Sequence, residues 1–287
     1  MEFTKYTTAT DILYLAGILL LTRWLLKTSF GRNALADSAT RPNYMPLYLP
    51  FIPLFIWFGA IAVLITAVHK LWPNLSDEQS ALVNNCIFGT AAAATTIIII
   101  FLAKAAFPQG LKGFGLNVRT IPKDLFAGLV NLFSIWPILT AVFVLTVYFG
   151  KLIRGPEFEI QQHQGLELIT TYSQVSLRIL IIITAVVLAP LFEEMLFRGL
   201  LQTMFRSSLS RLLFWHRFQN RTLTAWLSIA ISSGLFAVVH YEPSHWPTLF
   251  VLSMAIGYSY EKSGSLFRPI LIHSLFNAAS ITAALYQ

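Results

Sequence analysis

The sequence predicts an all-α, polytopic membrane protein, and three observations carry that prediction. Of its 287 residues, 56% are hydrophobic and 11% charged, against the roughly 25% charged residues of soluble domains. Several apolar runs reach the ~20 residues that a helix needs to cross a bilayer. Lys and Arg gather on alternate connections between those runs, which is the pattern of a chain oriented in a membrane.

Eight spans follow in order: 8–26, 47–71, 81–107, 125–149, 172–202, 223–241, 247–260 and 266–285. The first ends on Arg23 and Lys27 and lacks a small-residue cleavage site, so it is expected to be a retained helix rather than a signal peptide. Connections after odd-numbered spans hold fourteen Lys and Arg, against four on the other side. The expectation is a multi-pass protein of the plasma membrane, with odd-numbered loops in the cytoplasm and both termini outside.

The connections carry their own signals. Between the third and fourth spans lie Pro108, Gly110, Gly113, Gly115 and Pro122, which break helices and mark a boundary. The outer segment 150–171 holds Glu157, Glu159, His163 and Glu167; a solvated loop explains them better than a metal site. Segment 207–221 is basic, with Phe214, Trp215 and Phe218 interleaved, and reads as an amphipathic stretch at the interface. The net charge of +7 is spread between apolar spans, so no nucleic-acid partner is expected. A lone cysteine, Cys86, excludes an intrachain disulfide and is read as a packing residue. His69, Trp72 and Trp246 close or open spans and read as residues of the membrane interface.

One stretch resists a packing explanation. Pro190-Leu-Phe-Glu193-Glu194-Met-Leu-Phe-Arg198-Gly199 places three ionisable groups inside an apolar run. A charge in lipid is costly, so its default reading is functional. Glu194 and Arg198 are four apart, stack on one helical face and should pair. Glu193 is turned by about 100° from Glu194, which frees it for other work. Pro190 lacks a donor for the carbonyl four residues back, Val186, and predicts a kink one turn before Glu193. Gly199 permits close approach of another helix.

Few span residues could join these acids. His240 closes the sixth span, while His273 and Asn277 share one face of the eighth. The set suits hydrolysis. A carboxylate among apolar side chains can act as general base on water, and a histidine beside it can share that water or protonate a leaving group. A histidine and an asparagine on one face can donate to a developing oxyanion. No serine or cysteine has a nucleophile's setting, so water is the expected nucleophile. The absence of a convincing internal repeat weighs against transporters built from paired halves.

Glu193-Glu194-x-x-x-Arg198, Phe236-x-x-x-His240 and His273-x-x-x-Asn277, in this order, resemble the CAAX prenyl protease and bacteriocin-processing (Abi) family. That family includes the Ras-converting CAAX endopeptidase. Supporting features are the segment from Gly257 to Gly264, Pro269 before His273, and the Gly-Phe-Gly-Leu turn from Gly113 to Leu116. The resemblance implies an intramembrane endopeptidase of the glutamate type. Glu193 would activate water with His240 assisting, His273 and Asn277 would form the oxyanion hole, and Glu194 and Arg198 would support the site. The substrate would be a peptide or lipidated protein cut near its end. No cofactor is expected, since the His-Glu-x-x-His spacing of many zinc proteases is missing; a zinc-dependent alternative would use Glu193, His240 and His273. A non-enzymatic immunity or partner-binding protein is the other alternative. The implied organisation is an N-terminal helical part (1–124), a fourth span with its outer loop (125–172) and a catalytic core (173–287).

Overall fold

Apolar periodicity becomes helix nearly throughout. The computed structural model describes residues 3–215 and 220–286, those of 3–10 and 213–215 by their backbone. The side chains of Phe214 and Trp215, and the whole of Phe218, therefore lie outside the described residues. In chain order the helices are α1 (Phe3–Lys27), α2 (Phe51–Leu71), α3 (Asp77–Ala106), α4 (Ile121–Arg154) and α5 (Gln164–Thr171). Then come α6 (175–202), α7 (Thr203–Trp215), α8 (Arg221–Val238), α9 (Trp246–Ser263) and α10 (Phe267–Leu285). No strand occurs among the described residues, and the protein is all-α.

Among the described residues five helices are long and apolar enough to cross a membrane: Phe51–Leu71, Asp77–Ala106, Val118–Arg154, Val175–Leu212 and Arg221–Val238. The segments expected as the other three spans are helical, as α1, α9 and α10, of 25, 18 and 19 residues, but do not belong to these five.

Helix ends follow local chemistry. Ser76 caps α3 in a reciprocal pair: its hydroxyl accepts from Gln79 N–H at 3.3 Å, and Gln79 Oε1 accepts from Ser76 N–H at 3.0 Å. The boundary expected between the third and fourth spans is a single helical turn, Leu111–Phe114, ended by Gly115 at φ 113°, a conformation that favours glycine. Segment 150–171 leaves Glu157, Glu159, His163 and Glu167 exposed, as expected of a solvated stretch, but is helical at both ends. α4 runs on to Arg154, and α5 begins where His163 Nδ1 accepts from Gly165 N–H at 3.2 Å. His163 is thus a helix cap.

The chain divides into two compact units. One comprises Met1–Arg41, Val118–Gln161 and Phe205–Ile272; the other Pro42–Asn117, Gln162–Met204 and His273–Gln287. In the first unit α1 meets α4 where Gly17 lies beside Pro137; an added Cβ would come within 3.2 Å of the proline ring. Leu35, Ala225 and Ile229 form a core edged by Trp226, Met254 and Tyr258. Trp24 Nε1 donates to the Tyr258 hydroxyl at 2.9 Å. Polar groups between helices are paired: Asn131 Nδ2 donates to Ser259 Oγ at 3.1 Å, and Arg268 bonds Asp124 at 3.0–3.1 Å.

Two basic residues counted as loop charges prove to be paired with buried acids. Arg268 is one. Arg206 is the other: its Nε lies 2.9 Å from Glu261 Oε1, and its remaining donors reach Thr224, Ser210 and the Ser38 carbonyl. Burial makes such a pair expensive to break, because either partner alone would be left as an uncompensated charge.

In the second unit Trp57 of α2 packs edge-on against Phe88 of α3 and lies 4.9 Å from the Phe192 ring of α6. α3 buries a stripe of small residues that includes Gly89, Ala92, Thr96 and Ala103. Gly89 there faces Thr184 and Leu188 of α6. Cys86 lies off this stripe and is exposed, so the packing role expected of it is not what the fold uses. His69 takes a partner within the unit, Nε2 lying 3.3 Å from Asn84 Oδ1. Ile169 of α5 is fully buried against Leu177, Ile181, Ala81 and Ile281.

Candidate active site

α6 carries the two glutamates, and its backbone is irregular on both sides of them. Residues Thr184–Leu188 and Met195–Gln202 wind in the wider π register, while Ala189–Glu194 between them is α-helical. Such bulges inside helices recur at functional sites because they re-aim side chains without ending the helix. The distortion expected from Pro190 is therefore present as a widened turn. The wider register adds a second carbonyl to the one expected at Val186: Ala189 N–H bonds Thr184 O, five residues back, and one residue on, Ala185 O faces Pro190, which has no N–H.

Glu194 is fully enclosed, at 0% exposure, and so is Arg198 at 1%. Their ion pair forms as the spacing requires: Arg198 Nε lies 3.0 Å from Glu194 Oε2, and Nη1 donates to Oε1 at 3.2 Å. The His273 ring of α10 joins them, with Nδ1 2.8 Å from Glu194 Oε1. Oε1 of Glu194 thus takes both hydrogen bonds, while Oε2 meets Arg198 Nε as an ion-pair contact without a hydrogen bond. Opposite charge at this distance is what allows the carboxylate to remain in a water-poor interior.

Glu193 stands apart from this triad. Its side chain keeps 14% exposure, and its Oε2 lies 3.9 Å from His273 Nε2. One imidazole therefore faces both carboxylates, Nδ1 to the enclosed one and Nε2 towards the more open one. Asn277 is one turn further along α10, and its Nδ2 donates to the Ala185 carbonyl at 2.8 Å. The second unit thus gathers Glu193, Glu194, Arg198, His273 and Asn277.

His240 belongs to the first unit. It follows the end of α8, where its Nδ1 lies 2.6 Å from the Phe236 carbonyl, an acceptor that assigns the Nδ1 proton. A neutral ring so held presents Nε2 as its basic nitrogen. Trp246, expected to be a plain interface anchor, donates its indole N–H to the His240 carbonyl at 2.9 Å. No sequence signal pointed to that bond. It pins the backbone of the histidine from the next helix.

Gly199 has an unexpected neighbour. A Cβ there would collide with the ring of Phe114, which is itself fully buried. The close approach made possible by glycine serves this ring from the Gly-Phe-Gly-Leu turn, rather than a second helix backbone. The turn thereby buttresses α6 one residue past Arg198.

Metal binding can be tested against the donors present. Among the described residues no three His, Cys, Asp or Glu side chains gather closely enough to hold an ion. His273 directs Nδ1 to Glu194, and Glu194 is committed to Arg198.

Comparison with known proteins matches one part of the chain. Residues 175–279 match the family model described as type II CAAX prenyl endopeptidase Rce1-like. This segment is an Rce1-like domain. The resemblance drawn from the three motifs is borne out, and the Rce1-like domain contains all six residues singled out from them. An uncharacterized 24.3 kDa protein of Escherichia coli is 29% identical over 130 residues, covering 44% of this chain and 54% of the relative. The chain thus spans about half the length of this curated relative. No solved structure matches. Phe114 and Asp124 fall outside the Rce1-like domain, so part of what braces it comes from the preceding chain.

Proposed function

We propose that this protein is an intramembrane endopeptidase of the glutamate type, hydrolysing a peptide bond with water activated by Glu193. The observation that carries this reading is the division of labour between adjacent carboxylates. Glu194 is enclosed and held by Arg198 and His273, whereas Glu193 retains exposure and faces His273 Nε2 at 3.9 Å. A water beside Glu193 gives a proton to the carboxylate as its oxygen attacks the scissile carbonyl. The tetrahedral intermediate collapses, the C–N bond breaks, and that proton leaves with the amine. The products are a new carboxyl terminus and a free amine.

His240 is assigned a share in the proton transfer by the family motif, and its fixed Nδ1 proton leaves Nε2 suited to that task. His273 and Asn277 are assigned to the oxyanion, with Glu194 and Arg198 holding His273 in place. The reaction is metal-free. The substrate is a membrane-associated peptide or a lipidated protein processed near its C-terminus, and the location is the plasma membrane with odd-numbered loops cytoplasmic.

The test uses the full chain purified in detergent and a panel of quenched-fluorescence peptides, with and without a prenylated cysteine. Glu193→Gln and His240→Ala are each expected to lower cleavage by about 100-fold or more, while thermal unfolding stays close to that of the parent. The metal chelator 1,10-phenanthroline is expected to leave cleavage unchanged. Activity that survives both substitutions overturns the proposal, and activity lost to the chelator and restored by zinc replaces it with a zinc mechanism.

A further inference from the structure

Asn277 can be followed one step beyond the oxyanion role, because its observed hydrogen bond lies on the backbone of α6. Ala189 N–H reaches back five residues to Thr184 O. One residue further in the same register, the Ala185 carbonyl would need an N–H at residue 190, and proline has none. A backbone acceptor left unpaired in an apolar interior is costly. Ala185 O instead accepts from Asn277 Nδ2 at 2.8 Å. α10 therefore holds α6 at two points one turn apart: His273 at the carboxylate of Glu194, and Asn277 at the gap opened by Pro190.

We propose that Asn277 is a positioning residue for Glu193: its carboxamide supplies the donor that Pro190 lacks and so fixes the wide turn that aims the Glu193 side chain three residues later. A carboxamide has two N–H groups. The bond to Ala185 uses one, and the other remains for the oxyanion. Only the activity arm of the following test rests on the endopeptidase reading.

Pro190→Ala supplies an N–H that can close onto Ala185 O, so it should relieve the need for Asn277. The experiment compares Asn277→Ala, Pro190→Ala and the double variant of the full chain in detergent. Two readouts are taken: the rate at which dicyclohexylcarbodiimide labels Glu193, followed by peptide mass spectrometry, and kcat on any peptide that the parent cleaves. Asn277→Ala is expected to shift the labelling rate about fivefold or more in the parent. In the Pro190→Ala background it is expected to shift it less than about twofold, with kcat partly recovered. Asn277→Asp, which keeps the shape and removes the donors, substitutes if the alanine variant does not fold. An equal shift in both backgrounds, or none in either, overturns the proposal. Rescue of labelling when no variant, the parent included, cleaves any peptide upholds the positioning role and removes the endopeptidase reading.

Discussion

The ring of Phe114 occupies the place where a side chain at residue 199 would begin. One residue belongs to the turn after α3, the other follows the arginine that holds Glu194. This contact ties the linker sequence to the acid-bearing helix more tightly than either motif suggests alone.

Gly199→Ala should therefore destabilise the fold by about 1–3 kcal/mol, the usual cost of overpacking. Phe114→Ala should itself cost about 3–5 kcal/mol, but in its background the added methyl at residue 199 should cost almost nothing. Thermal or denaturant unfolding of the four members of this cycle measures the coupling; additive losses would mean that the ring and the glycine are independent.

Removing the partner of one glutamate and substituting the other should differ in their cost to the fold. Arg198→Ala strands Glu194 at full burial and should cost about 3–5 kcal/mol of stability. Glu193→Gln removes no close ion pair, and its unfolding midpoint should stay near that of the parent. Reduced yield of folded protein for the first and normal yield for the second is the expected pattern; equal damage from both would contradict it.

His240 offers a separation within one side chain. Asparagine can keep a donor for the Phe236 carbonyl but has nothing in place of Nε2. His240→Asn should fold normally and lose cleavage of the peptide panel by about 100-fold or more. Near-normal cleavage would place the value of His240 in its backbone-capping bond rather than in its second nitrogen.

How much of this was legible in the sequence depended on distance along the chain. Glu194 with Arg198, and His273 with Asn277, were readable because four residues are one helical turn and the geometry is local. The need at Ala185 was not readable, since an α register pairs Pro190 with Val186 and only the π register sets Ala185 opposite the proline as well. Pairs such as Arg206 with Glu261 and Trp246 with the His240 carbonyl were not readable. They follow from how helices pack, which spacing does not encode. Cys86 failed for a related reason: an apolar run in a membrane protein has a lipid-facing side, so apolar neighbours do not imply burial.

Asp124 and Arg268 carry a consequence for the order of assembly. Asp124 is buried at 2% side-chain exposure and Arg268 half-buried at 13%, and the two are 144 residues apart. At the ~5–20 residues per second of protein synthesis, the acid waits roughly seven to thirty seconds for its arginine. During that interval α4 presents an uncompensated carboxylate at its first turn. Arrival of α10 supplies that arginine and also brings His273 and Asn277 to α6, so one helix completes both the ion pair and the acid site.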